Sequence, residues 1–293
     1  MNGVVNLFKE RGITSFQAAA KIKKLFNIKK CGHTGTLDPM AEGVLPICLG
    51  FATRFAGYLA AGVKEYTADF LLGKSYNTFD ITGTPMAQSG VKPTYSRIEE
   101  ILNSFVGERP FIVPAFSAKK IDGKRAYALA REGKLEDAGA AVMRIYSVKL
   151  LKYQYPAGSF SVTCAKGTYV RSLINALGKE SGAEAAMSGL VRTRSGEFTL
   201  ESVHRFADLE KLKEEGRLRD AVIAVDSALP FKKGVVSDLE RAKIVHGAVP
   251  KGYIDLPQLS RDEEYLIMDE GGNILALAIN SAPYARLKKV FAK

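Results

Sequence analysis

The chain of 293 residues has no tryptophan, only three cysteines and only three histidines. Cys31, Cys48 and Cys164 are odd in number and far apart. That argues against a disulfide framework and fits a reducing cytoplasm. His33, His204 and His246 are widely spaced, and no Cys-x-x-Cys or His-x-x-x-His pair occurs. Cys31 and His33 lie close in sequence, but two ligands do not make a structural zinc site. The glycine-rich runs lack the lysine and hydroxyl spacing of a nucleotide-binding loop. Neither a metal site nor a nucleotide-binding loop is therefore expected. No stretch of about 18 apolar residues occurs, so no membrane span is expected. The opening residues lack a basic start followed by a long apolar core and do not read as a signal peptide.

Acidic residues are also comparatively few. Against 42 Lys and Arg stand 31 Asp and Glu, a formal net charge of +11. Such a balance favours polyanionic partners. It is concentrated between Lys9 and Lys30, where Lys9, Arg11, Lys21, Lys23, Lys24, Lys29 and Lys30 face Glu10 alone, and again at Lys119, Lys120, Lys124 and Arg125 against Asp122. Each run reads either as a solvated face or as a phosphate-binding one. Together, in so basic a chain, they favour nucleic acid. An anionic membrane surface fits the charge, but no helix joins these lysines to a broad aromatic face.

Periodicity gives the organisation. Val4, Val5 and Leu7 suggest a strand. A helix is expected from about Ser15 to Phe26, capped by Thr14 or Ser15, with Ala18, Ala19, Ile22, Leu25 and Phe26 on one stripe. Residues 44–49 read as a buried strand, with Pro46 limiting it to an edge, an end or a bulge. A second helix starts at Thr53. Tyr66, Ala68, Phe70 and Leu72 alternate with polar residues as in a half-buried strand. Ser96 and Glu99 form a capping box ahead of another helix. Alternation at Phe160, Val162 and Cys164 gives way to helical spacing at Val170, Leu173, Ile174 and Leu177, which places residues 168–171 where a strand enters a helix. Strands and helices alternate without regular βαβ units, so the fold class is α+β with a large mixed or antiparallel sheet. Residues 229–234 read as a linker, and the segment beyond is short and strand-rich, with turns at 269–272 and 280–283.

The most informative stretch is Gly32-His33-Thr34-Gly35-Thr36-Leu37-Asp38-Pro39. Pro39 keeps Asp38 out of the α conformation. Gly32 and Gly35 allow close backbone approach or positive φ. The run reads either as a turn with Asp38 in a local hydrogen bond or as a loop presenting Asp38 and His33 on one surface.

This stretch, continued through Met40-Ala41-Glu42-Gly43-Val44-Leu45-Pro46, resembles motif II of the bacterial tRNA pseudouridine-55 synthases of the TruB type. Further segments resemble that family in order. Residues 9–15 resemble its N-terminal motif, Lys64-Glu65-Tyr66 the active-site tyrosine segment, and residues 73–83 the hairpin after it. Lys166-Gly167-Thr168-Tyr169-Val170-Arg171 resembles the arginine motif, and Leu190-Val191-Arg192-Thr193 a late motif. The resemblance implies a catalytic domain over 1–228 and a PUA-like RNA-binding domain over 235–293. The implied activity is isomerisation of uridine 55 in the tRNA TΨC loop to pseudouridine.

In that reading Asp38 is the nucleophile, Arg171 pairs with it, and Tyr66 stacks on the target base and helps remove the C5 proton. Asp80 contacts the flipped base, Tyr169 shapes the pocket and Leu190 forms an apolar wall. His33 fills the space that the base leaves. Lys9 and Lys166 touch phosphate or pocket backbone. No cofactor is implied. The partner is tRNA, through its T arm and, for the C-terminal domain, its acceptor stem. No membrane or obligatory protein partner is expected, and the protein should be a cytoplasmic monomer. One departure stands out, since Glu10 occupies the place where the N-terminal motif usually has proline. Two other classes compete: a non-catalytic RNA-binding protein on the same scaffold, and a general polyanion binder. A guide-RNA-dependent synthase of the dyskerin type is a variant of the first reading.

Overall fold

Gly3–Lys9 forms strand β1, buried along its whole length. Thr14 then caps α1 (Ser15–Leu25) in a capping box with Gln17, satisfying amides that the first turn leaves free. Ala18, Ala19 and Ile22 carry the buried stripe, and Lys21, Lys23 and Lys24 lie outside it, exposed. The computed structural model describes residues 1–117, 119–121, 123–135, 138–281 and 285–292, and for Lys120, Arg125 and Arg131 the backbone alone. Part of the second basic run and of the turn expected at 280–283 lies outside the described residues.

Strands β2 (Cys31–His33) and β3 (Glu42–Leu49) follow, then a 3-10 turn from Gly50 that leads into α2 (Ala56–Leu59). Next come β4 (Lys64–Leu72), the hairpin β5 (Lys74–Tyr76) and β6 (Pro85–Gln88), α3 (Tyr95–Ser104) and β7 (Gly107–Ile112). A small hairpin, β8 (Lys120–Ile121) and β9 (Lys124–Arg125), precedes α4 (Ala126–Arg131). The long pair β10 (Ala140–Gln154) and β11 (Ala157–Cys164) leads to α5 (Val170–Ser181), β12 (Ala185–Ser195), β13 (Phe198–Thr199) and α6 (Phe206–Glu214).

Nine of these strands form one sheet in the order β1-β3-β12-β4-β11-β10-β7, with β2 paired to β3 and β13 to β12. Among the described residues of this sheet only β3 and β12 run parallel, and every other strand pair is antiparallel. This is the expected α+β class. Helices α1, α3 and α5 contribute Ala18, Ile22, Ile98, Leu102, Leu173 and Leu177 to a hydrophobic core shared with Phe70 and Phe160 of the sheet. Each of the Ile, Leu and Phe side chains among them contributes roughly 1.5–3 kcal/mol by leaving water.

Two local expectations need correction. Pro46 is not at an edge, an end or a bulge: it pairs in register with Asn6 inside β3, which has neighbours on both sides. Its carbonyl accepts from Thr34 N at 3.1 Å. Its ring nitrogen therefore faces the same side, where it cannot return a bond to Thr34; the β2–β3 ladder stops at Ile47, and the missing donor falls where the neighbour of β3 changes from β2 at 47–49 to β12 at 42–43. The cap of α3 is Thr94, whose hydroxyl accepts from Arg97 N, and not Ser96, which lies inside the helix.

The chain divides into two compact units, Met1–Ile223 and Ala224–Lys293. The break precedes the expected linker, and Lys232–Gly234 of that stretch belong to a strand. The second unit contains α7 (Val225–Ala228), β14 (Lys232–Val236), α8 (Asp238–Val245), β15 (Glu264–Asp269), β16 (Ile274–Ile279) and β17 (Arg286–Val290). Its four strands form one sheet in sequence order. Its core is Val236, Ile244, Tyr265, Ile267, Leu275, Ala276 and Ala278.

Candidate active site

The loop from Thr34 to Ala41 joins β2 to β3 and carries Asp38. It is fastened at many points. Ser15 Oγ accepts from Leu37 N at 2.8 Å and reaches Leu37 O at 3.1 Å, tying the loop to the first turn of α1. Ala41 N donates to Asp38 O at 3.0 Å, so Asp38 opens a β-turn with Pro39 at its second position, where a fixed φ is favoured. Gly12 N donates to Pro39 O at 2.8 Å. Arg192, 1% exposed, donates from Nε to Val44 O at 2.7 Å and from Nη2 to Gly35 O at 3.1 Å. Neither Gly32 nor Gly35 has positive φ, contrary to one expected use of them. Gly32 belongs to β2, and a Cβ at Gly35 would meet the Arg192 guanidinium only in ordinary contact, at 3.5 Å.

Lys9, at the end of β1, is fully buried. Its ammonium donates to the carbonyls of Ala41 at 2.6 Å, Glu10 at 3.1 Å and Pro39 at 3.4 Å. All three donors hold backbone, so Lys9 positions the loop and does not offer its charge to a phosphate. Burial pulls its pKa down to about 8, with Asp38 opposing the shift.

Arg171, in the first turn of α5, brings Nε within 2.9 Å of Asp38 Oδ2 and donates from Nη2 to Oδ1 at 3.0 Å. The side chain of Arg171 is 5% exposed and that of Asp38 32%. The guanidinium is thus sequestered while the carboxylate keeps an open side, which a nucleophile requires. The fork is itself fixed: Nη1 donates to Thr78 O at 2.9 Å and Nη2 to Phe116 O at 3.0 Å. Asp80 stands behind, its Oδ2 3.6 Å from Nη1, and its Oδ1 accepts from Thr78 Oγ1, Thr82 N and Thr82 Oγ1. Phe79, between Thr78 and Asp80, sits at φ 62°. Such backbone costs on the order of 1–3 kcal/mol and persists where its surroundings fix it.

Asp38, Tyr66, Lys166, Tyr169, Arg171 and Leu190 line a single cavity of about 520 Å³. Tyr66 comes from β4, Leu190 from β12, and Lys166 and Tyr169 from the turn between β11 and α5. Asp80, Lys9 and His33 do not line it. His33 ends β2 and is half-buried, and burial lowers its pKa. Burial raises the Tyr66 phenol, with the Arg192 guanidinium opposing, so the phenol stays protonated at neutral pH. Sequence reasoning assigned no role to two wall residues. Arg192 faces Tyr66 across the β4–β12 pair. Lys64, two residues before Tyr66 on the same strand face, is 5% exposed, and burial pulls its pKa down to about 8. The available signal was an inward-facing strand position occupied by a lysine. Among the described residues no three His, Cys, Asp or Glu side chains gather as a metal site. No helix among them is long and apolar enough to cross a membrane.

Comparison with known proteins gives a consistent result. The family model described as TruB family pseudouridylate synthase (N terminal domain) matches residues 23–170. The tRNA pseudouridine synthase B of Clostridium novyi (strain NT) is 38% identical over 291 residues, covering 99% of this chain and 99% of the relative. That of Clostridium tetani (strain Massachusetts / E88) is 41% identical over 230 residues, 78% of each. Among solved structures, a chain of a Cbf5-Nop10-Gar1 complex superposes with a TM-score of 0.74 at 29% identity, covering 98% of this chain and 84% of that one. An H/ACA RNP bound to a substrate RNA containing 2′-deoxyuridine supplies another, with a TM-score of 0.73 at 28% identity, covering 99% and 85%.

Proposed function

The chain belongs to the TruB family of pseudouridylate synthases, and on that premise we propose that it isomerises uridine 55 in the TΨC loop of tRNA to pseudouridine, with Asp38 as nucleophile. The observation that carries this reading is the carboxylate held from one side by a sequestered arginine and open on the other to a cavity with an aromatic wall. In the reaction the bond from ribose C1′ to N1 breaks, the uracil turns, and C5 bonds to C1′. No atom is gained or lost overall, so the chemistry calls for no redox partner.

Arg171 holds the Asp38 carboxylate through both oxygens and aims it. Tyr66 and Leu190 supply faces for the uracil ring, and Tyr169 shapes the entrance. The base must leave the stack to reach Asp38, at a cost of a few kcal/mol. His33, at the end of β2 and outside the cavity, fills the space that the base leaves in the RNA. Asp80 acts through Arg171. Lys166, exposed at the rim, and the lysines of α1 attract the phosphate backbone. The first unit carries the chemistry, and the second, a small β-rich unit, acts as a PUA-like RNA-binding domain. The working form is a cytoplasmic monomer without an obligatory protein partner.

The test is tritium release from tRNA transcripts labelled at uridine C5, with no metal, nucleotide or guide RNA added. Wild type should release tritium, and Asp38→Asn should release none while remaining folded and binding tRNA. Full release by Asp38→Asn removes Asp38 from the mechanism. No release by folded, tRNA-binding wild type favours a binding role or dependence on a guide.

A further inference from the structure

Buried cations in folded proteins have partners, because taking an ammonium out of water without them is strongly unfavourable. Four cations and one carboxylate line the cavity: Lys64, Lys166, Arg171, Arg192 and Asp38. Arg171 is held by Asp38 and two carbonyls, and Arg192 by two carbonyls. Lys166 is exposed to solvent. Lys64 differs from all three. It is 5% exposed, its Nζ is inaccessible, and it has no hydrogen-bond partner among the described residues.

Its surroundings do not compensate. Across the strand pairs it faces Cys164 and Ser195. Ser195 Oγ is likewise without a partner, so one shared water would satisfy that hydroxyl and leave the ammonium short of partners for its three donors. A further unpartnered buried hydroxyl, Thr34 Oγ1, belongs to another residue of the cavity wall. Lys64 shares the inward face of β4 with Tyr66. The unsatisfied lysine and the tyrosine on which the target base is read to stack therefore belong to the same wall of the cavity.

The substrate supplies what is lacking. When the N1–C1′ bond breaks heterolytically, the electron pair stays with the uracil, whose negative charge spreads over N1, O2 and O4. C1′ is captured by Asp38, or the sugar loses its C2′ proton and regains it later. Bonding of C5 to C1′ then releases the C5 proton, and N1 takes up a proton, so the balance closes. We propose that Lys64 is a further catalytic residue, whose ammonium donates to a carbonyl oxygen of the target uracil and carries the negative charge the base acquires on detachment. This rests on the uridine-isomerising reading above. A preorganised donor at developing charge in a water-poor site is the kind of group whose removal slows reactions by about 100-fold or more.

The test compares wild type with Lys64→Met, a substitution of similar length and no charge, in single-turnover assays on tRNA transcripts. One set contains uridine and the other 5-fluorouridine at the target position. Loss of the N-glycosidic nucleoside is followed after digestion, and tRNA affinity and Tm are measured alongside. Fluorine makes the uracil anion intrinsically more stable, so that anion needs the ammonium less. Lys64→Met should bind tRNA like wild type, keep or raise its Tm, and turn over uridine about 100-fold more slowly, with a penalty at least about tenfold smaller on 5-fluorouridine. A wild-type rate overturns the proposal, as does an equal penalty on both substrates. So does loss of rate accompanied by a lower Tm and lost tRNA binding, which marks a structural role. An inactive wild type would count against the isomerase reading itself, whereas each result that overturns the lysine leaves an active wild type.

Discussion

Replacing Arg171 with lysine keeps the charge and removes the fork. The guanidinium meets both Asp38 oxygens, at 2.9 and 3.0 Å, and the carbonyls of Thr78 and Phe116, at 2.9 and 3.0 Å. An ammonium has three donors at a single point. Seated against Asp38, it reaches one carboxylate oxygen well and at most one of the two carbonyls. One charge-assisted bond, worth about 1.5–3 kcal/mol, is lost, and one buried acceptor is left unpaired at about 1–3 kcal/mol. The sum is about 2.5 kcal/mol or more. For a unit of this size each kcal/mol moves Tm by about 2–4 °C, so Arg171→Lys should unfold at least about 5 °C below wild type. The functional loss should be larger in proportion. Displacing a reacting group by about 1 Å can cost on the order of 100-fold, and lysine holds Asp38 from one point where arginine holds it from two. Scanning calorimetry and single-turnover tritium release read the two effects separately. A wild-type rate with a Tm within about 1 °C of wild type would refute the claim that the fork aims Asp38.

Two further outcomes follow from the same geometry. Gly43 has φ +105°, and a Cβ there would stand 2.3 Å from Arg192 O, so Gly43→Ala should cost about 3 kcal/mol or more; a loss below about 1 kcal/mol in chemical denaturation would show that the β3–β12 contact yields easily. Burial lowers the Lys64 pKa from 10.5 in the unfolded chain to about 8 in the folded one. The unfolded state then binds more protons between those values, so stability rises with pH there. The cost of burying the charge is fully present below about 8 and is relieved by 10.5, and wild type should gain on Lys64→Met across that window; parallel stability curves for the two would contradict the buried-charge assignment.

Much of this architecture was legible because apolar periodicity reports which face of an element is buried. The alternation at Tyr66, Ala68, Phe70 and Leu72 became β4, and the change of period after Cys164 marked the entry to α5. The α1 cap was legible because a threonine before an apolar stripe has few other uses there. Pro46 was misread because an edge position is inferred from one residue, whereas the exchange of β12 for β2 along β3 is a property of three strands. Thr94 lost to Ser96 for a similar reason: two residues matched the capping box, but the helix had already begun.

The site divides along the same line. Asp38, Tyr66 and Arg171 were assigned through motifs that resemble a family, and they line one cavity. Lys9 was given a choice between phosphate and backbone, and only the fold shows its ammonium enclosed by three carbonyls. Lys64 and Arg192 received no role because charge on a strand is ordinarily read as solvated. Yet the alternation that turned Tyr66 inward also turned Lys64 inward, two residues before it, and the β4–β12 register set Arg192 opposite that tyrosine. A cation on the buried face of a strand needs either a partner in the protein or one that arrives with a ligand. Arg192 has the first kind, in the carbonyls of Gly35 and Val44. Lys64 has none among the described residues, so of the two it is the one whose chemistry the substrate must complete.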